Sequence, residues 1–283
     1  MTICKSCVVL GLVFLSYMLG CVFGVLTNEQ AVTYLSQYGY LKPSMKNSNV
    51  ANIISEEAMV KAIREFQSFF GLNLTGRLDN DTLHLMSKPR CGNQDVGEFV
   101  PTRTRRYISH NRKWEINDLT YNIIKYPKQL DKSVIDSEIR RAFDLWSEVT
   151  PLRFTHKKSG KVNINIRFEE GKHGDRNSSY TVLSHTFNSK YVSDIYFDGS
   201  IKWSVNSKEG TNLFQRVVHE LGHSLGLFHS KKESSVMFVI DRGYNPNFTL
   251  SSDDVEAIQA IYGSNNKTEK VNLEKDHDVL KNN

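Results

Sequence analysis

The stretch His219-Glu220-Leu221-Gly222-His223-Ser224-Leu225-Gly226-Leu227-Phe228-His229 holds residue types that can bind a metal and move a proton. On a helix, His219 and His223 stand one turn apart on one face, so both imidazoles can reach one zinc ion. Glu220 projects beside them without ligating. Gly226 lets the chain leave the helix and fold back, which presents His229 as a third ligand. Three histidines leave a fourth position for water, as a catalytic zinc requires. Zinc lowers the pKa of that water towards about 7 and polarises a carbonyl. Glu220 would take the water's proton during attack and deliver it to the leaving amine. The competing reading is three scattered surface histidines. Five fixed positions match by chance in on the order of 10⁻⁵ to 10⁻⁴ of chains at ordinary composition, which decides for the site.

Such a site needs a helix near 212–225 and a scaffold to hold it. The pattern over 107–263 supplies both. Leu119–Ile124 and Lys161–Phe168 read as strands, the second with Val162, Ile164, Ile166 and Phe168 on one face. Between them Val134–Glu148 reads as an amphipathic helix with Ile135, Ile139, Ala142, Phe143 and Trp146 inward. Strands are expected at 180–187 and 193–197, and a last helix near 252–262. A βαβ start followed by strands and then helices predicts an α+β fold.

Residues 27–90 are patterned differently. Thr27 can cap a helix that Gly39 stops. Ser55-Glu56-Glu57 opens a second, and Asp79 caps a short third over 80–87. Met59, Ala62, Ile63, Phe66, Phe69 and Phe70 give the second helix one buried face. The result is a small helical bundle. Residues 97–106 lack periodicity and end in Arg103-Thr104-Arg105-Arg106. A solvated basic run is the plain reading, but its place between two differently patterned halves favours a processing site.

The 283 residues carry 36 Lys+Arg against 31 Asp+Glu, and no segment concentrates the charge, so a nucleic-acid partner is set aside. Hydrophobic residues at 39% exclude wholesale disorder. Lys5, an apolar run from Val8 to Leu26 and Val22-Phe23-Gly24 describe a secretory signal over 1–24. An uncleaved membrane anchor over 8–26 is the alternative. Of the 4 cysteines, Cys4, Cys7 and Cys21 fall in that segment, leaving Cys91 alone. A lone cysteine in a secreted chain is either a reactive or liganding thiol or a buried free one. Sequons at Asn73, Asn80, Asn177, Asn247 and Asn266 fit secretion and glycosylation. Residues 264–283 form a polar tail.

The zinc motif resembles that of the metzincin metallopeptidases, which place a methionine turn under the zinc; Met237 matches it. Within that clan the chain resembles the matrix metalloproteinases from about residue 30 to Gly263. Phe66–Leu72 with Thr75–Asp79 is similar to their peptidoglycan-binding-like propeptide. Pro89-Arg90-Cys91-Gly92-Asn93-Gln94-Asp95-Val96 is similar to their cysteine switch, with Gln94 where proline is usual. Ala142–Leu152 and Ser252–Gly263 resemble the first and last helices of their catalytic domain, with Asp253 and Asp254 in the last.

The resemblance implies a twisted mixed sheet with three helices over 107–263, behind a propeptide over 25–106. It implies that the Cys91 thiolate fills the open position on zinc and keeps the zymogen silent. Asp95 could pair with Arg90 to shape that loop, and a surface pair would add at most about 1 kcal/mol. Arg103, Arg105 and Arg106 match the site of a furin-like convertase, whose cut would free Tyr107 to pair with Asp253. The family also implies a second zinc, and His173, Asp175 and His185 match three of its ligands. Its fourth falls on Tyr196, a poor ligand, so one zinc is expected to be held firmly. Asp194 and Asp198 match calcium ligands, but Ile201 stands where a carboxylate belongs, so tight calcium binding is not expected. Val239-Ile240-Asp241 replaces the Pro-x-Tyr wall of the specificity pocket. The implied protein is a secreted, monomeric zinc endopeptidase acting on extracellular matrix proteins, open to tissue-inhibitor-type inhibitors. A catalytically idle zinc-binding decoy is the alternative, against which the intact Glu220 argues.

Overall fold

Ile164, Ile166 and Phe168 are buried and alternate with half-buried Asn165, Arg167 and Glu169, and this period of two fixes strand β4, Ile164–Glu169. The computed structural model describes residues 28–41, 54–96, 113–170 and 182–265. Around β4 lie β1 Arg90–Cys91, β2 Asp118–Lys125, β3 Arg153–His156, β5 Val182–Asn188 and β6 Ser193–Asp198. Their order in the sheet is β1-β5-β6-β4-β2-β3. All neighbours run parallel except β5, which is antiparallel to β6. A short parallel pair, β7 Trp203–Ser204 and β8 Thr211–Asn212, stands apart. With the helices this is the α+β architecture that the resemblance implies, behind a helical propeptide-like unit.

Helix α4, Lys132–Val149, buries the five residues its periodicity predicted, and Phe143 stacks on Tyr121 of β2 at 4.0 Å between ring centroids. Trp146 joins α4 to the next layer: its Nε1 donates to Val218 O at 3.1 Å on helix α5, Leu213–Ser224. The Asn212 side chain caps α5 by accepting from Gln215 N. Helix α6, Ser252–Tyr262, starts with a capping box between Ser251 and Asp254. One apolar core gathers the inner faces of these elements.

The second core belongs to α1 Asn28–Gln37, α2 Glu56–Phe69 and α3 Asn80–Met86. Ser55 and Asp79 cap α2 and α3 as expected, accepting from Ala58 N and Thr82 N. This core does not close on itself. Cys91, Phe238, Val239 and Ile240 complete it, so the bundle shares apolar surface with the turn after Met237.

The two-residue strands and β3 were not foreseen. Strands so short leave no periodicity, and β1 exists only because its partner lies some ninety residues away. The apolar segment 8–26, the basic residues Arg103, Arg105 and Arg106, and tail residues 266–283 lie outside the described residues. So do His173 and Asp175.

Candidate metal centre

Helix α5 places His219, Glu220 and His223 together, all buried. The helix ends at Leu225, and Gly226 takes φ 98°, a left-handed conformation suited to glycine. The chain reverses there, with Leu227 N bonded to Gly222 O at 2.9 Å, and brings His229 back to the helix. The ligand atoms of Cys91, His219, His223 and His229 all lie within 4.8 Å of one another. Among the described residues this is the group of such side chains that could hold a metal ion.

The chemistry of the donors fits zinc. His219 Nδ1 bonds Val236 O at 2.7 Å, His223 Nδ1 bonds Leu227 O at 2.9 Å, and His229 Nδ1 bonds Asp95 Oδ1 at 2.8 Å. Each contact places the ring proton on Nδ1, which leaves Nε2 as a lone-pair donor. The Nε2 atoms of His219 and His229 are buried and have no hydrogen-bond partner. Burial, with Arg216 next, pushes His219 well below its ordinary pKa, so the imidazole is neutral as ligation requires. His229 is also pushed down by burial, against the pull of Asp95.

Cys91 is fully buried, with Sγ 3.5 Å from His223 Nε2 and accepting from Asn93 N at 3.4 Å. Burial and the Glu220 carboxylate push its thiol well up, and a cation among the histidines would reverse that by stabilising thiolate. Its segment threads between β5 and the turn after Met237. Gly92 N donates to Ser184 O at 2.8 Å, Cys91 N to Val239 O at 3.1 Å, and Asp241 N to Pro89 O at 3.0 Å. Asn93 pairs with both backbone groups of Thr186, Nδ2 donating to the carbonyl and Oδ1 accepting from the amide.

The Arg90–Asp95 pair is not on the surface. Both side chains are fully buried, and the pair is 2.5 Å long. Tyr34 accepts from Arg90, Tyr38 lies under the guanidinium at 3.4 Å, and Tyr40 donates to Asp95 at 2.7 Å. Burial alone would raise the Asp95 carboxyl, but Arg90 and His229 hold it below the usual carboxylate range. Removing one partner of such a pair costs about 3–5 kcal/mol, rather than the surface value.

Glu220 is fully buried, and both its oxygens are held: Ser184 Oγ donates to Oε1 at 2.6 Å and Thr186 Oγ1 to Oε2 at 2.7 Å. Sequence reasoning missed this clamp. Its one signal is that Ser184 and Thr186 stand two apart on a strand and so share a face.

Met237 lies beneath the helix, where a Cβ at Gly222 would overlap its Sδ and meet Trp146 Cζ2 at 3.3 Å. Gly222→Ala is therefore expected to destabilise the fold by about 1–3 kcal/mol through overpacking, read as a thermal midpoint lowered by several degrees. An unshifted midpoint would show that Met237 moves aside freely. Asp254 holds the same turn by accepting from Ser235 Oγ and Val236 N, while Asp253 accepts from Ser230 Oγ and pairs with Lys232.

Of the residues matched to a second zinc and to calcium, His185, Tyr196, Asp194 and Asp198 lie among the described residues. His185 and Tyr196 rings stack at 4.9 Å with 12° between planes, and Arg167 sits over Tyr196. Asp194 pairs with Arg167 and accepts from Asn165, and Asp198 accepts from Ser200.

A matrixin family model matches residues 113–263, and a peptidoglycan binding domain model matches residues 29–86. The chain is similar to stromelysin-2 of Rattus norvegicus, 39% identical over 245 residues, covering 84% of this chain and 50% of that one. Stromelysin-1 of Mus musculus is 40% identical over 213 residues, covering 73% and 43%. Interstitial collagenase A of Mus musculus is 39% identical over 242 residues, covering 83% and 50%. The chain thus spans about half the length of these relatives. The family match takes in α5, the turn at Gly226 and the methionine below them, over more than half of the sequence: the chain belongs to the matrixin family.

Proposed function

We propose that the chain is the latent form of a secreted zinc endopeptidase that cleaves extracellular proteins. The observation that supports this most is one pocket holding three histidines with oriented rings, a clamped carboxylate and a cysteine from another part of the chain. Zinc bound there would activate a water molecule and polarise a peptide carbonyl. His219, His223 and His229 would hold it through Nε2. Glu220 would accept the water's proton at a carboxylate oxygen and pass it to the leaving amine. Ser184 and Thr186 hold that carboxylate in one orientation. With residues 90–93 gone, the β5 backbone would be open to an extended peptide substrate.

In this reading Cys91 is the latch, residues 25–106 are the propeptide, and a furin-like convertase cuts after Arg106. The freed Tyr107 ammonium would then compete with Lys232 for Asp253. The relatives named interstitial collagenase point to matrix proteins as the substrate class. Tyr196, a neutral phenol where a fourth ligand would stand, supports a single firmly held zinc.

Secreted protein sequenced from its N-terminus is expected to begin at Tyr107. It should cleave a quenched peptide, retain close to one zinc after mild chelation, and lose turnover when that zinc is stripped and regain it on replacement. A zinc-loaded mature chain that cuts no peptide would remove the peptidase reading.

A further inference from the structure

Helix α5 carries a buried cation that none of this chemistry uses. Arg216 lies one turn before Glu220, so residues 216, 220 and 223 form one stripe along the helix. Arg216 is 5% exposed. Its Nη1 is buried without a hydrogen-bond partner, and its guanidinium forms no ion pair among the described residues. Three and four residues before His219 and Glu220 on the same helix, it stands beside the metal centre. Gln215 straps the neighbouring wall to the helix, donating to Gly243 O at 3.0 Å and accepting from Asn245 N at 2.7 Å. A guanidinium withdrawn from water without a counterion is unfavourable, and arginine retained at such a place is suited to receiving a carboxylate through its planar fork.

We propose that Arg216 determines specificity: it receives the side-chain carboxylate of a substrate Asp or Glu next to the scissile bond. This rests on the peptidase reading above. The latent chain fills the cleft with Cys91 and its neighbours, and activation removes them. The space Cys91 leaves lies against His223, on the same helix stripe as Arg216. A substrate carboxylate would there find a cation with donor capacity unused, and a neutral side chain would leave it unused. A charge-assisted hydrogen bond of this kind corresponds to roughly 10–100-fold in relative rate.

The test uses the mature enzyme and peptides identical except for Glu, Gln, Leu or Lys at the residue on either side of the cleaved bond. At one of those positions Glu should exceed Leu by about 10–100-fold in kcat/KM. Arg216→Met, of similar length and uncharged, should abolish that preference, so that Glu and Leu peptides are cleaved with equal kcat/KM. Arg216→Lys should keep a reduced preference, which covers the case in which the Met variant does not fold. Wild type that cuts Glu and Leu peptides alike sinks this proposal and leaves the peptidase reading standing. Equal loss on all peptides in a folded, zinc-loaded Met variant overturns it too, because the guanidinium would then serve the reaction rather than the choice of substrate. No cleavage of any peptide by wild type sinks both.

Discussion

Glu220→Gln is expected to lower peptide turnover by about 10²–10⁴-fold while zinc content stays at the wild-type level. The substitution keeps the shape of the side chain but removes its ability to take a proton. It should not disturb the fold, because the two groups facing it are hydroxyls. Ser184 Oγ and Thr186 Oγ1 each donate to a carboxylate oxygen in the wild type. A hydroxyl can turn and accept from an amide instead, so neither buried group is left unpaired. The ligand atoms belong to His219, His223 and His229, whose Nδ1 bonds to Val236, Leu227 and Asp95 do not involve Glu220. Turnover and bound zinc measured on the same sample separate the two roles. A zinc-loaded variant with undiminished turnover would show that the base is another group.

The three histidines that meet in the metal centre were legible because a helix turns a spacing in sequence into a spacing in space. His219 and His223 four apart, then a glycine where the chain must reverse, need no knowledge of the rest of the molecule. α2 and α4 were legible for the same reason, since their buried faces repeat every three or four residues. What surrounds the ligands was not, because it comes from chain far away. Asp95 meets His229 across 134 residues, and Asn93 meets Thr186 across 93. The Arg90–Asp95 pair was read as a surface pair because nothing near it in sequence covers it. Tyr34, Tyr38 and Tyr40, from α1 and the turn after it, bury it. Gln94 in place of the usual proline is exposed, so that departure has little packing to disturb. Tyr196 is the opposite case. Its chemistry as a poor ligand was readable, but the aromatic stack it makes with His185 required the register of β5 against β6.

Cys91→Ser is expected to give an uncleaved chain with at least roughly tenfold more peptidase activity than the uncleaved wild type, yet less than the mature form. In the proposed latch the loss would be that of a zinc ligand, since a serine hydroxyl binds zinc far more weakly than a thiolate. Each 1.4 kcal/mol removed from the closed state multiplies the open fraction about tenfold. The latch does not vanish with the sulfur, however. Gly92 still donates to Ser184, Asn93 still pairs with Thr186, and the buried Arg90–Asp95 pair still holds the loop against His229. The segment therefore continues to cover the cleft for part of the time, which sets the expected activity between the two forms. A thiol-reactive mercurial should wake the wild type but not raise the serine variant further. It should act slowly, because Cys91 is fully buried and reacts only when the loop opens. Activity of the uncleaved variant, with Arg106 blocked from cleavage, is the measurement. A silent variant whose mature form is active would place the latch in the backbone and side-chain pairing of residues 90–95 rather than in the thiol.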